Sequence, residues 1–362
     1  AFRLLASPVT TTDFIFENWQ ESGSTPSSPD GLGTHITGGS TSDGFDQSGS
    51  NNPSMFTFDN TFVPTGSQTQ GDAWNALSNT NATKLNAGEA YLTMVRGDRT
   101  IDLTSNSSPA NNTTLRATGE LFTGSDSPAL SSELNLFSLV ANPYQAVVDY
   151  SLATRTDLTD FIYVWDASIT GDNGRGGYVT VEISTGNITA PSPTSSDASE
   201  FIAPGMSFFV QNPSSGSISP SLTFNEDDKA TGENQVTVFS SYPHFYINSR
   251  LYKSSDLQND SSEKDAIGLR FSDNFTTLGS DEDATKLGNP DENYAIINNG
   301  LRSIDNQAMP SIGHEIDLSI TNYRDSNYSL TFDLENKPED LGVFLKDEYL
   351  NKEEELTNDF VY

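Results

Sequence analysis

The 362-residue chain contains no cysteine. That absence excludes disulfides, thiolate metal sites and a cysteine nucleophile. A secreted chain of this kind must draw its stability from buried core, which modules of more than a hundred residues can supply. Basic residues are few: 18 Lys and Arg stand against 50 Asp and Glu, a formal net charge of −32. Nucleic acid and anionic membranes want a basic face, so this balance argues against both as partners. It suits a surface bathed in salt or divalent cations. No apolar run is long enough to cross a bilayer, so the chain is expected not to be membrane-spanning. No leader-like segment opens it; it starts in one strand-like run and stops in another. It reads as an internal piece of a longer protein.

Histidine is equally scarce. His35, His244 and His314 lie far apart, without HExxH or another ligand spacing, and read as loop or surface residues. There is no GxSxG nucleophile elbow. Stretches with helical character are few. Residues 11–20 form one, with Thr12 or Asp13 as cap; 340–355 is charged, but Gly342, Val343 and Phe344 read better as strand. What is abundant is Gly, Ser, Thr, Asn and Asp between short aromatic and β-branched runs. That pattern means many short strands joined by turns. The expected fold class is all-β, built from tandem antiparallel β-sandwich modules.

The first two modules are expected to be internal repeats. Residues 2–9, Phe-Arg-Leu-Leu-Ala-Ser-Pro-Val, are echoed at a constant offset of 135 by 137–144, Phe-Ser-Leu-Val-Ala-Asn-Pro-Tyr. Met-Phe-Thr-Phe-Asp at 55–59 is matched by Ile-Tyr-Val-Trp-Asp at 162–166. Leu-Asn-Ala-Gly at 85–88 is matched by Ile-Ala-Pro-Gly at 202–205, and Tyr91-Leu92 by Phe208-Phe209. In the first module, 101–104 and 114–118 supply further strands; in the second, 222–224 does. The offset narrows because the second copy lacks the long Ser/Gly-rich loop at 21–53. Beyond Arg250 charged residues become roughly twice as frequent, which marks a new domain. Its strand-like runs include 247–253, 266–271, 294–297, 315–320, 329–334, 342–347 and 360 onward. The expected division is 1–134, 135–245 and 246–362, the last an acidic β-sandwich domain.

Several motifs invite chemistry. Glycosidase chemistry needs two carboxylates at a fixed separation in a cleft. Fifty acidic residues make accidental pairs, and none has the apolar context that raises one pKa. The glycine-rich run 171–177 precedes a strand rather than a helix, so it reads as a hairpin turn and not a phosphate loop. The acidic run 281–292 carries oxygen ligands at EF-hand positions, but Lys286 stands where the glycine belongs and no helices flank it. A different calcium site drawn from Asp281, Asp283, Asp291 and Glu292 is the candidate there. Residues 225–228, Asn-Glu-Asp-Asp, are a weaker one. Among the tryptophans, Trp165 reads as core, whereas Trp19 and Trp74 are candidates for stacking against a sugar ring.

The order of these segments resembles a family: the large secreted surface proteins of gliding and marine Bacteroidota, exported by the type IX secretion system. The matching stretches include 2–12 with Asn18-Trp19-Gln20, Gly33-Thr34-His35-Ile36-Thr37-Gly38, Val95-Arg96-Gly97-Asp98, Asn142-Pro143-Tyr144-Gln145, Asp283-Ala284-Thr285-Lys286-Leu287 and Leu345-Lys346-Asp347. The resemblance implies a β-rich block ahead of a C-terminal sorting domain, a secretion translocon as partner during export, and an extracellular, cell-surface location. It supplies no catalytic residues. The expected function is a non-catalytic scaffold or adhesin segment, with the 21–53 loop as its contact surface. The alternatives are an accessory glycan-binding region of a polysaccharide-degrading enzyme and a surface-filament subunit.

Overall fold

The computed structural model describes residues 2–22, 31–104, 111–167, 176–184, 188–189, 196, 198–230, 245–259, 263–271, 275, 283–335, 337–338, 341–358 and 360–362. The architecture is all-β with multiple antiparallel sheets. The one α-helix among the described residues is the five-residue Ser254–Gln258. Contacts divide the chain into two units, 1–164 with 200–236, and 165–199 with 237–362. This division runs through the expected second module and places most of it in one unit with the first.

In the first unit, β1 (Phe2–Ala6), β2 (Met55–Phe58), β3 (Trp74–Ala76) and β4 (Ala90–Met94) form an antiparallel sheet in the order β1-β4-β2-β3. Leu5 pairs with Tyr91 and Leu4 with Leu92. Further along, β5 (Phe137–Ala141), β6 (Phe161–Asp166) and β7 (Ser207–Gln211) lie with β7 between β5 and β6. Each set thus runs first strand, last strand, second strand. The matched sequence blocks fall on corresponding strands, β1 with β5, β2 with β6 and β4 with β7. Gly88 and Gly205 close the turns before β4 and β7 at nearly the same positive φ, 79° and 81°; that backbone region favours glycine.

Residues 11–20 are not the expected helix: Thr11 ends a strand, Phe14 makes a β-bridge with Lys84, and 15–20 are turns. The Ile15 and Phe16 N–H groups donate to the carbonyls of Thr83 and Thr80. These tertiary bonds replace a helical ladder and draw Ile15 and Trp19 inward. Both join Ile36, Phe45, Met55, Leu85 and Tyr91 in one buried cluster. The strands expected at 101–104 and 114–118 are also absent; Gly119–Leu121 pairs with Val9–Thr11 instead.

The second unit carries β8 (Phe245–Lys253), β9 (Asp265–Phe271), β10 (Asn293–Ile297), β11 (Leu301–Gln307), β12 (Asp317–Thr321) and β13 (Tyr328–Glu335). The sheet order is β12-β10-β11-β9-β8-β13 and then Phe360–Val361, with Ala284–Thr285 also on β11. Alternate residues of β8 are buried along its whole length, as a two-residue side-chain period requires. Pairing is antiparallel except between β9 and β11, which run parallel. Within the charged run expected at 340–355, β14 (Phe344–Asp347) and β15 (Lys352–Glu355) form a hairpin. Phe245, Ile247, Leu251, Ile267, Tyr294 and Phe332 belong to this unit's core.

Candidate functional site

The described part of the long loop in the first unit, 31–53, is fixed by a largely buried carboxylate, Asp46. Asp46 accepts from the Ile36 N–H at 3.1 Å and from Gln20 Nε2 at 3.0 Å. Arg99 grips it with two bonds, Nη2 to Oδ1 at 2.7 Å and Nη1 to Oδ2 at 2.9 Å. His35 Nδ1 stands 3.4 Å from Oδ1, while Nε2 faces the Ile101 carbonyl at 3.1 Å. Burial pushes the Asp46 carboxyl up, but the hydrogen bonds and charges of His35 and Arg99 outweigh it and lower its pKa to about 2. Such a group stays ionised and has almost no proton affinity to lend. Arg99 Nη1 also donates to the Thr34 carbonyl, which ties the loop to the residues after β4.

A second carboxylate anchors the adjoining turns. Asp98 accepts from the Gly31 N–H, the Thr100 N–H and hydroxyl, and Asn111 Nδ2. Burial raises its carboxyl, yet these bonds prevail and hold it below the usual carboxylate range. Gly97 lies beside it at φ 135°, where a Cβ would meet Asn111 Oδ1 at 2.1 Å.

These hubs expose a polar rim whose one charged side chain, Asp43, is half-buried. Thr41, Ser42, Gln47, Ser50 and Asn52 are exposed, while Gly33 to Thr37 and Phe45 are buried beneath them. The short turn Thr41–Asp43 is capped by Ser40 and closed by Gly44 at φ 86°. Hydroxyls and amides displayed on a fixed backbone can make hydrogen bonds; they supply no nucleophile–base pair by themselves.

The residues singled out from sequence are dispersed. Trp19 is 3% exposed and meets Tyr91 edge-on at 5.8 Å, so it is a core residue with no face for a sugar. Trp74 is half-buried, 4.8 Å from Phe58 and 6.0 Å from Phe209 by ring centroids. Trp165 packs edge-on against Tyr178. Asp281 lies outside the described residues, as do His244 and residues 171–175. Asp283 accepts from the Asn306 N–H, Asp291 stands 3.4 Å from Arg324 Nε, and Glu292 accepts from the Tyr328 hydroxyl. Each of these carboxylates is engaged with its own partner. Among the described residues, no group of three or more His, Asp or Glu is placed to hold a metal ion. Residues 225–228 make a short turn in which Asp228 accepts from the Asn225 N–H and Glu226 pairs with Lys229.

Sequence reasoning passed over Asp46, Arg99 and Asp98 as functional anchors. A local signal existed for Asp98. Asp-x-Ser/Thr recurs at Asp59, Asp98, Asp102 and Asp149, and each time Oδ1 accepts both the N–H and the hydroxyl two residues on. Compared with known proteins, the chain matches no family model, no curated protein and no solved structure.

Proposed function

We propose that the chain is a non-catalytic extracellular scaffold, a segment of a large cell-surface protein of the type IX cargo kind, which presents the 31–53 loop as a contact face. The observation that supports this reading is the use made of Asp46. Its carboxylate is spent on four hydrogen bonds, from Gln20, the Ile36 N–H and both Arg99 nitrogens, that fix a loop, and its pKa of about 2 keeps it ionised near neutrality. The strand order and the matched glycine turns favour an origin of the first unit by duplication, which suits a stacked display architecture. The formal charge of −32 keeps such a surface soluble in salt.

The test is electrophoresis through gels containing neutral or acidic polysaccharides, with the wild type and the alanine variants of Thr41, Ser42 and Gln47. Retardation that weakens in the variants supports the loop as contact face. Retardation unchanged in all three moves the contact elsewhere. Release of reducing sugar ends by the purified chain overturns the non-catalytic reading.

A further inference from the structure

β5 is the terminal strand of its sheet on the side away from β7. Its inner edge pairs with β7 from Phe137↔Gln211 to Ala141↔Ser207. The outward-facing backbone groups of Phe137 and Leu139 do not face a further strand; they meet two side-chain carboxamides from the β2–β3 connection. Asn60 Oδ1 accepts from the Leu139 N–H at 2.7 Å, and Asn60 Nδ2 donates to the Leu139 carbonyl at 3.0 Å. Gln70 does the same one repeat away. Gln70 Oε1 accepts from the Phe137 N–H at 2.9 Å, and Nε2 donates to the Phe137 carbonyl at 2.6 Å.

This is the hydrogen-bonding pattern of an antiparallel neighbour. In such a ladder, alternate residues exchange both an N–H and a C=O bond with the residue opposite. A carboxamide carries one acceptor and a donor in the same planar geometry as a peptide group. Two of them, set at Phe137 and Leu139, reproduce two rungs of a missing strand without supplying a strand.

The edge has reason to be closed. Residues 136–141, Leu-Phe-Ser-Leu-Val-Ala, carry no charge, no proline and no glycine. An uncharged β-prone run with free backbone groups is a template for strand addition. Neither Asn60 nor Gln70 belongs to a strand, so neither offers a new edge in turn. Asn60 is itself held in place, since its Nδ2 also donates to the Ala129 carbonyl at 2.8 Å. Asp59 orders the preceding turn by accepting from both the N–H and the hydroxyl of Thr61.

We infer that Asn60 and Gln70 act together as a false strand, which closes the β5 edge against a strand from a second copy of this chain. The inference stands apart from the proposed contact face, because it concerns the opposite need: keeping one apolar edge from pairing.

The experiment compares the wild type with Asn60→Ala/Gln70→Ala by sedimentation velocity over a range of concentrations and by amide hydrogen exchange at Phe137 and Leu139. Circular dichroism establishes that the variant is folded. The expected result is exchange at both amides faster by at least about tenfold, with a concentration-dependent dimer or larger species that the wild type lacks. The single changes Asn60→Asp and Gln70→Glu keep size and acceptor but lose the donor. They are expected to show the same trend more weakly, and they serve if the double variant does not fold. A folded variant whose two amides stay as slow as in the wild type overturns the inference. So does one whose amides open while it sediments like the wild type at every concentration.

Discussion

Arg99 and Asp46 are 53 residues apart in sequence and form a two-bond ion pair with the Arg99 side chain 3% exposed and the Asp46 side chain 12% exposed. Removing one partner of such a pair leaves the other charge buried and uncompensated, which costs about 3–5 kcal/mol. Arg99→Ala is therefore expected to lower unfolding free energy by roughly 3 kcal/mol. Arg99→Lys keeps the charge but loses the fork and recovers only part of that. Urea unfolding of the three proteins checks this. A loss below about 1 kcal/mol for Arg99→Ala would mean the pair is not what holds the loop.

The same carboxylate sets an acid limit. Its folded pKa is about 2 against an ordinary value of 3.8. The unfolded chain therefore binds this proton more tightly than the folded one. The stabilisation is present in full above about pH 4 and is lost as pH falls through 2. The shift corresponds to about 2 kcal/mol. Unfolding free energy measured from pH 5 down to pH 2 should fall more steeply for the wild type than for Asp46→Asn, which lacks the titration. Parallel curves would contradict the assignment.

Trp19 and Trp74 should behave differently. Trp19→Ala removes a buried ring from the cluster around Tyr91 and is expected to cost about 3–5 kcal/mol. Trp74→Ala removes a half-buried ring between Phe58 and Phe209 and should cost less. Acrylamide quenching of the variant lacking the other two tryptophans should leave Trp19 nearly unquenched. Free quenching of Trp19 would place it at the surface after all.

Gly97 tests the turn beside Asp98. At φ 135° an L side chain is strained, and a Cβ would also press on the Asn111 backbone at 3.0 Å. Gly97→Ala is expected to destabilise by roughly 1–3 kcal/mol, read as a lower thermal midpoint. A midpoint equal to or above the wild type's would show that the turn relaxes at no cost.

What could be read beforehand follows from how local each signal is. Alternating apolar and polar residues made β13 legible from sequence, and burial follows that two-residue period along all of β8 and at Phe332 and Leu334 of β13. β11 was missed because its residues, Leu-Arg-Ser-Ile-Asp-Asn-Gln, look like a loop. It is buried nonetheless from Arg302 onward, and several of its polar groups are matched in space: Asp305 accepts from Asn298 Nδ2 and Gln307 Nε2, and the Asn306 N–H donates to Asp283. The helix expected at 11–20 gave way to tertiary hydrogen bonds with Thr80 and Thr83, which no local propensity reports. At the loop face, the Asp98–Thr100 turn was written in three consecutive residues. The Asp46 hub was not, since Gln20, His35, Ile36 and Arg99 converge only in the folded chain.

The most direct measurement is native-state hydrogen exchange along the 31–53 loop. Ile36 N–H is bound by Asp46 Oδ2, Asp46 N–H by the Ile36 carbonyl and Thr37 N–H by Ser54 Oγ. If this loop is a rigid contact face, those three amides exchange only with opening free energies close to those of the β4 strand. Exchange of all three on the timescale of an unprotected peptide, with β4 still protected, would contradict a fixed display surface.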